Sequence, residues 1–460
     1  MTLDPVLLSR IQWAWVIGWH ILLPAFTVGL ASYIAVLEGL FFFTGQEAWY
    51  RISRFWTRIF SVSFGMGVVS GIIMPFQFGT NWSRFSDATA NVLSPMLAYE
   101  DLMAFFLEAT FLGVLLFGRK LVPTWAHLFA ACMVALGTLM SSFWILSVNS
   151  WMQTPAGFTF HDGRFFPVDW VAIIFNPSFP FRLMHNVAAF YVTTGFVVLG
   201  VGAWLLRRPA FFDDGRRIFR MAVGFLTIFV PLQIFLGDMH GINTAHYQPA
   251  KLAAIEGRWE SASPAPLTLV GWPEQKAERT AFAVDVPVLG SLILTHSLNG
   301  EVRGLKTFPA DERPPVWPVF WAFRVMVGIG LTMLGVICLA WLLRLRGAMY
   351  TTGWFLKLCM WVAPSGFLAV LAGWTTTEVG RQPWTVYGLM RTSHSVSPSL
   401  TGNDVLWSFL AYAAVYLLMF PAGIAVMARM VRTGPTEALP DTPVEGLQPS
   451  GPVLGMAEKS

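Results

Sequence analysis

GWFLKLCMWVAPSGFLAVLAGWTTTEVGRQPW, residues 353–384, holds the two features from which the fold can be read. Its first two-thirds, to Trp374, is an apolar run long enough to cross the roughly 30 Å hydrocarbon core of a bilayer. Where the run stops stands a carboxylate, Glu378, followed three residues later by Arg381 and then by Pro383, which cannot continue a helix. An acid at the centre of a spanning helix costs about 2.5–3.5 kcal/mol, so it usually has a partner or a task. Taken alone, Glu378 is equally well an acid that has reached the headgroup region and pairs with Arg381. The weight shifts because several other helices place a polar or ligand-type side chain at the same depth.

The composition agrees with a membrane protein. Of 460 residues 55% are hydrophobic and only 12% charged, with 21 Trp, whereas a soluble domain carries about a quarter charged residues. The formal charge of +4 is spread over short loops, so it is no footprint for nucleic acid. Cys132, Cys338 and Cys359 each fall within an apolar run, which excludes a disulfide framework, a C-x-x-C-H haem attachment and a thiolate metal site. The first apolar run is too long for the core of a signal peptide and has no small-residue cleavage pattern, so it is expected to be a span.

Runs of spanning length occur at about 13–43, 57–79, 97–118, 124–149, 184–206, 217–237, 319–343, 354–376 and 405–428. The expected fold is therefore all-α, a polytopic membrane protein of about nine transmembrane helices. Arg51, Arg54 and Arg58, then Arg119 and Lys120, then Arg207 to Arg220, then Arg344, Arg346 and Lys357 make alternate loops basic. The positive-inside rule puts those loops in the cytoplasm, with the amino terminus outside and the carboxyl terminus inside. The chain then divides into helices 1–6 (1–237), an outer loop (238–318), helices 7–9 (319–433) and a Pro-rich, disordered cytoplasmic tail (434–460). Residues 150–183 read as an irregular loop with a short interfacial piece. No internal repeat is visible.

With that orientation His20, Glu100, Glu108, His185, Arg324, Met326 and Glu378 all lie toward the outer leaflet, on five helices. Histidine, methionine and carboxylate are side chains that ligate haem iron, and His/Met is a low-spin combination. Each has a plain alternative: a lone Met326 among 20 Met is ordinary core, and His127 and His161 look like interface or loop histidines without a role. The shared depth favours a cofactor site, and spacing does not say which residue serves which iron.

These residues sit in LSRIQWAWVIGWH (8–20), FQFGTNWS (76–83), EDLMAFFLEATFLG (100–113), WILSVNSWMQTPAGF (144–158), PAKLAAIEGRWE (249–260), FWAFRVMVG (320–328) and WTTTEVGRQPW (374–384). In these ordered motifs the chain resembles subunit I of cytochrome bd-type quinol oxidases, over nearly its whole length. The resemblance implies a quinol:oxygen oxidoreductase of the bacterial cytoplasmic (inner) membrane. It would oxidise quinol at the outer face and reduce O2 to water with protons taken from the cytoplasm, electrogenic without being a pump. It implies two haem b and one haem d, with His185 and Met326 as axial pair of the low-spin haem and Arg324 close by. His20 and Glu378 match ligands of the two high-spin haems, and the motif does not say which is which. Arg10, Trp374 and Arg381 match residues that contact haem or its propionates, Glu100, Glu108 and Ser141 the proton route, and Lys251 and Glu256 the quinol-associated pair.

On spacing alone Lys251 and Glu256 are two solvated charges, five residues apart and poorly placed for a salt bridge. Only about sixty residues separate Glu256 from FWAFRVMVG, which fits the short-loop form of the family. Some short-loop members belong to the cyanide-insensitive branch, in which the third haem is b, so the spectral type, quinone type and cyanide sensitivity stay open. Expected partners are a second large subunit (subunit II), a very short single-span peptide, lipid, quinone and O2. Two rivals stand beside this reading. A secondary transporter would place its acids nearer the midplane, between repeats. A b-type electron-transfer cytochrome would need neither His20 nor the Glu378 motif.

Overall fold

The computed structural model describes residues 3–436, so most of the expected tail lies outside the described residues. Helix α1 (Pro5–Leu22) starts where the Asp4 side chain accepts from the Val6 amide at 2.9 Å, with Pro5 in the first turn, where no N–H is needed. Pro24 opens α2 (Pro24–Thr44), so the first apolar run belongs to two helices joined at Leu23. Gly45, at φ 64°, ends α2 in the left-handed region. Next come α3 (Glu47–Thr80) and α4 (Ser83–Tyr99). A six-residue π turn, Glu100–Phe105, passes into α5 (Phe106–Phe117).

Helix α6 (Thr124–Gln153) is followed by the antiparallel hairpin β1 (Phe158–His161) and β2 (Arg164–Pro167), then by α7 (Trp170–Ile174). The expected irregular loop is thus a hairpin and a short helix. Its turn is Asp162-Gly163, both at positive φ, the conformation that closes a two-residue hairpin. Helices α8 (Phe179–Leu206) and α9 (Phe212–Tyr247) form a long antiparallel pair. Then come α10 (Pro249–Glu256), the hairpin β3 (Leu267–Glu274) and β4 (Arg279–Val286), and α11 (Leu289–Thr295). Helix α12 (Val316–Leu345) returns through the bundle, α13 (Gly353–Val362) and α14 (Ser365–Val379) form one span interrupted at Pro364, and a small hairpin, β5 (Trp384–Val386) and β6 (Met390–Arg391), leads to α15 (Gly402–Thr433). A capping box of Thr401 and Asp404 starts α15.

Among the described residues nine helical segments are long and apolar enough to cross a bilayer. Several outrun their apolar stretch. Helix α9 continues to Tyr247 because its polar end has protein to bond to: Asn243 Nδ2 donates to the Pro177 carbonyl at 3.1 Å.

The two ends of the bundle differ. At the end with the basic loops the core is apolar and dense, with Trp56, Phe60, Phe196, Phe219 and Phe355 fully buried. At the opposite end, the loop end, which carries the long 248–315 segment, helix termini bring polar side chains inside. There α8, α9, α12 and α14 make a closed ring. Helix α8 packs on α9 and α14, and α12 packs on the same two, while neither α8 with α12 nor α9 with α14 makes extensive contact.

Candidate functional site

Glu378 stands in the last turn of α14. Its Oε1 accepts from Asn149 Nδ2 at 3.1 Å and from Gln153 Nε2 at 3.2 Å, and its Oε2 accepts from Arg381. Asn149 and Gln153 lie four residues apart in the final turns of α6 and so project from one face. Buried Arg182 of α8 donates in turn to Asn149 Oδ1. The pairing with Arg381 exists, but as one strand of a network joining α6, α8 and α14.

Glu378, Trp374, Arg381 and Arg10 line one cavity of about 550 Å3, walled mostly by apolar side chains such as Trp13, Phe78, Phe85 and Leu371. Arg381 uses Nη2 on Glu378, while its buried Nε and Nη1 find no hydrogen-bond partner among the described residues. Buried donors rarely go unmatched. An apolar cavity with a carboxylate at its edge and guanidinium donors to spare suits a flat, largely apolar group with acidic arms, which is the shape of haem.

His20 is not among the residues lining this cavity. It faces α3, where its Nδ1 pairs with Ser70 Oγ at 2.9 Å, and a Cβ on Gly71 would come within 3.3 Å of its ring. His185 and Met326 sit on α8 and α12, the two helices that are opposed across the ring. Next to each, a flanking helix supplies a glycine. A Cβ on Gly237 of α9 would meet the His185 ring at 3.3 Å, and one on Gly373 of α14 would meet Met326 Sδ at 2.9 Å. His185 is also faced by Gln233, whose amide nitrogen is 3.2 Å from Nδ1, and by His240, ring centroids 5.6 Å apart. Two iron-ligating side chains on opposed helices, each packed against a glycine of a flanking helix, have the chemistry of an axial pair.

The loop end closes over this ring. Arg324 donates to the Ile255 and Phe320 carbonyls at 2.7 and 3.0 Å, to the Leu269 carbonyl at 3.0 Å and to the Thr268 carbonyl. It ties the outer segment to α12. Lys251 and Glu256 are 4% and 3% exposed, so they are not the solvated charges that spacing suggested. They are not paired with each other either. Lys251 Nζ donates to Gln153 Oε1 at 2.6 Å, and Glu256 Oε2 is buried without a partner among the described residues. Burial pushes the Lys251 ammonium well below its ordinary value, and the positive charge of Arg182 adds to this. Burial also raises the Glu256 carboxyl, against the pull of Arg324 and Arg258.

Glu100 accepts from Ser141 Oγ at 2.7 Å, and Leu97, three residues earlier, lines the cavity of Glu378. Glu108 is buried and packs so closely on α6 that a Cβ on Gly137 would lie 2.5 Å from its Cγ. Glu108 stands eight residues beyond Glu100, which in an unbroken α-helix means about 12 Å and about 80° of rotation. The π turn between them winds i to i+5, so that azimuth is not kept. His127 corrects another expectation. It is buried, with Nδ1 3.1 Å from Glu38 Oε2, which also accepts from Arg119 at 2.8 Å, and with Nε2 3.1 Å from the Leu115 carbonyl. His161 is an exposed hairpin residue, as expected.

A model of the family "Cytochrome bd terminal oxidase subunit I" matches residues 8–435. The chain belongs to that family. Cytochrome bd-II ubiquinol oxidase subunit 1 of Escherichia coli is 33% identical, with 96% of this chain and 99% of the relative aligned. Cytochrome bd ubiquinol oxidase subunit 1 of Bacillus subtilis is 35% identical over 94% of each. The solved bd oxidase from Geobacillus thermodenitrificans superposes with a TM-score of 0.87 at 32% identity, covering 94% of this chain and 99% of that one. As a cytochrome bd subunit I, the chain is a multi-pass bacterial membrane protein and part of an oxidoreductase. Neither a transporter nor a plain electron-transfer cytochrome fits that membership. Sequence reasoning passed over Asn149, Gln153, Arg182 and Gln233 as site residues. The signal for the first two was present: two amides at helical spacing at the end of an apolar run.

Proposed function

We propose that this chain is the haem-bearing subunit of a terminal quinol oxidase, oxidising quinol at its loop end and reducing O2 to water beside the Glu378 cavity. The observation that carries this is the cavity itself, in which Glu378, Trp374, Arg381 and Arg10 meet around a volume suited to one large flat group. His185 and Met326 would hold the low-spin haem, and His20 and Glu378 one high-spin haem each, two of the three being haem b and the third d or b. When bound, these groups accept single electrons from quinol and pass them to oxygen.

The protein's own work is binding and proton handling. Glu256, buried and holding a free acceptor oxygen, takes the hydroxyl proton of quinol, and Lys251 fixes the head group. With the loop end outside, that proton leaves to the outer side. Protons for oxygen come from the opposite side, past Glu108 to the Glu100–Ser141 pair and so to the cavity wall, which makes turnover electrogenic without a pump. The inner membrane, a second large subunit and a very short single-span peptide complete the proposed setting.

The test is an absorption spectrum of the purified, reduced protein before and after carbon monoxide. A carbon monoxide-induced shift at a high-spin haem, beside a low-spin haem that does not respond, is the expected result. A protein with only low-spin haem, or none, would overturn the reading.

A further inference from the structure

The buried amide of Gln153 hydrogen-bonds to both Lys251 and Glu378. Its Oε1 accepts from Lys251 Nζ at 2.6 Å and from Gln248 Nε2 at 3.0 Å, and its Nε2 donates to Glu378 Oε1 at 3.2 Å. Gln248 also donates to the Gln153 carbonyl at 2.8 Å, so the residue is held by both backbone and side chain. Gln153 is the last residue of α6 and 1% exposed. The Lys251 stem lies against Gly380, where a Cβ would meet Lys251 Cγ at 2.8 Å, so the lysine extends over the end of α14 toward Glu378.

We infer that Gln153 is a positioning residue with two separable ends: its carbonyl oxygen sets Lys251 for quinol, and its amide nitrogen sets Glu378 for the group in the cavity. An amide suits the place because it accepts and donates at once and carries no charge of its own. A leucine removes both ends. A glutamate keeps acceptor oxygens for Lys251 and, when ionised, has no proton to give Glu378.

The inference rests on the proposed roles of Lys251 and Glu378, so Lys251→Ala is measured alongside. In Gln153→Leu the quinol KM rises about tenfold, the scale of one lost hydrogen bond to a charged or polar head. The high-spin absorption shifts as well, and the low-spin spectrum does not. In Gln153→Glu the KM stays within about twofold of the parent, while the high-spin shift persists. Either Gln153→Leu moving just one of the two readouts, or Gln153→Glu raising KM as much as leucine does, overturns the inference. If Lys251→Ala leaves KM unchanged, the quinol reading has failed. If Lys251→Ala raises KM and Gln153→Leu does not, the failure belongs to Gln153.

Discussion

At the scale of single residues, the site is a set of charged groups whose neighbours set their chemistry. Glu256 must be ionised to accept a proton, and burial holds its carboxyl above the usual carboxylate range, with Arg324 and Arg258 opposing. Below its pKa the group is protonated and cannot act. Quinol oxidation should therefore climb with pH through a window above the ordinary carboxylate value and then level off. Glu256→Gln should lower the rate at least about a hundredfold and flatten that limb, as read from stopped-flow reduction by quinol across pH. A mutant that keeps the parent's limb would place the base elsewhere. Glu378, His20 and His185 are legible because acids and histidines are rare in apolar runs, whereas Lys251 and Glu256, in the hydrophilic outer loop, stand out only through the family resemblance. Gln153 and Asn149 were harder to see, since an amide in the last turn of a spanning helix looks like any interfacial polar residue until its partners are known.

At the scale of elements, apolar runs located every span but not their ends. Helix α9 outruns its run because hydrogen bonds to other elements, such as Asn243 to Pro177, replace lipid as the surroundings of its polar end. The β1–β2 hairpin was readable from Asp162-Gly163, yet lay in a segment judged irregular because its strands are only four residues each. The π turn at Glu100–Phe105 leaves no trace in hydropathy. It matters because it sets how Glu100 and Glu108 lie relative to each other on one span. If the two form a relay, Glu108→Gln keeps the shape and hydrogen bonding but cannot pass a proton. Oxygen consumption should fall at least about tenfold and the potential across reconstituted vesicles should be lost, with quinol KM unaltered. Full potential in that variant would send the protons by another path.

At the scale of the whole molecule, one end is an apolar core and the other brings buried polar side chains up to an apolar cavity, and the apolar end holds charged knots, one of Asp214 with Arg51 and Arg217 and one around Glu38. Glu38 accepts from Ser53 at 2.6 Å and from Arg119 at 2.8 Å, and His127 stands beside it, tying α2, α3 and α6 together below the site. Removing one partner of a fully buried ion pair costs about 3–5 kcal/mol, and Arg119, partly exposed, makes the cost here smaller. Glu38→Ala should therefore lower the apparent Tm in detergent by several degrees, while leaving the absorption spectrum of the surviving fraction as in the parent. An unchanged Tm would mean that the knot does not hold the bundle.

The ring of α8, α9, α12 and α14 has a consequence for how the protein is made. Its first two members are adjacent in the chain and end at Tyr247, whereas the last ends at Val379. At roughly 5–20 residues per second, the ribosome needs on the order of ten to twenty seconds to deliver the rest. The hairpin bearing His185 is therefore made before Met326 of the third member, and both precede Glu378 of the last. The proposed low-spin site thus gains the wall with His185 before the wall with Met326, and is complete only when the last ring member has been delivered.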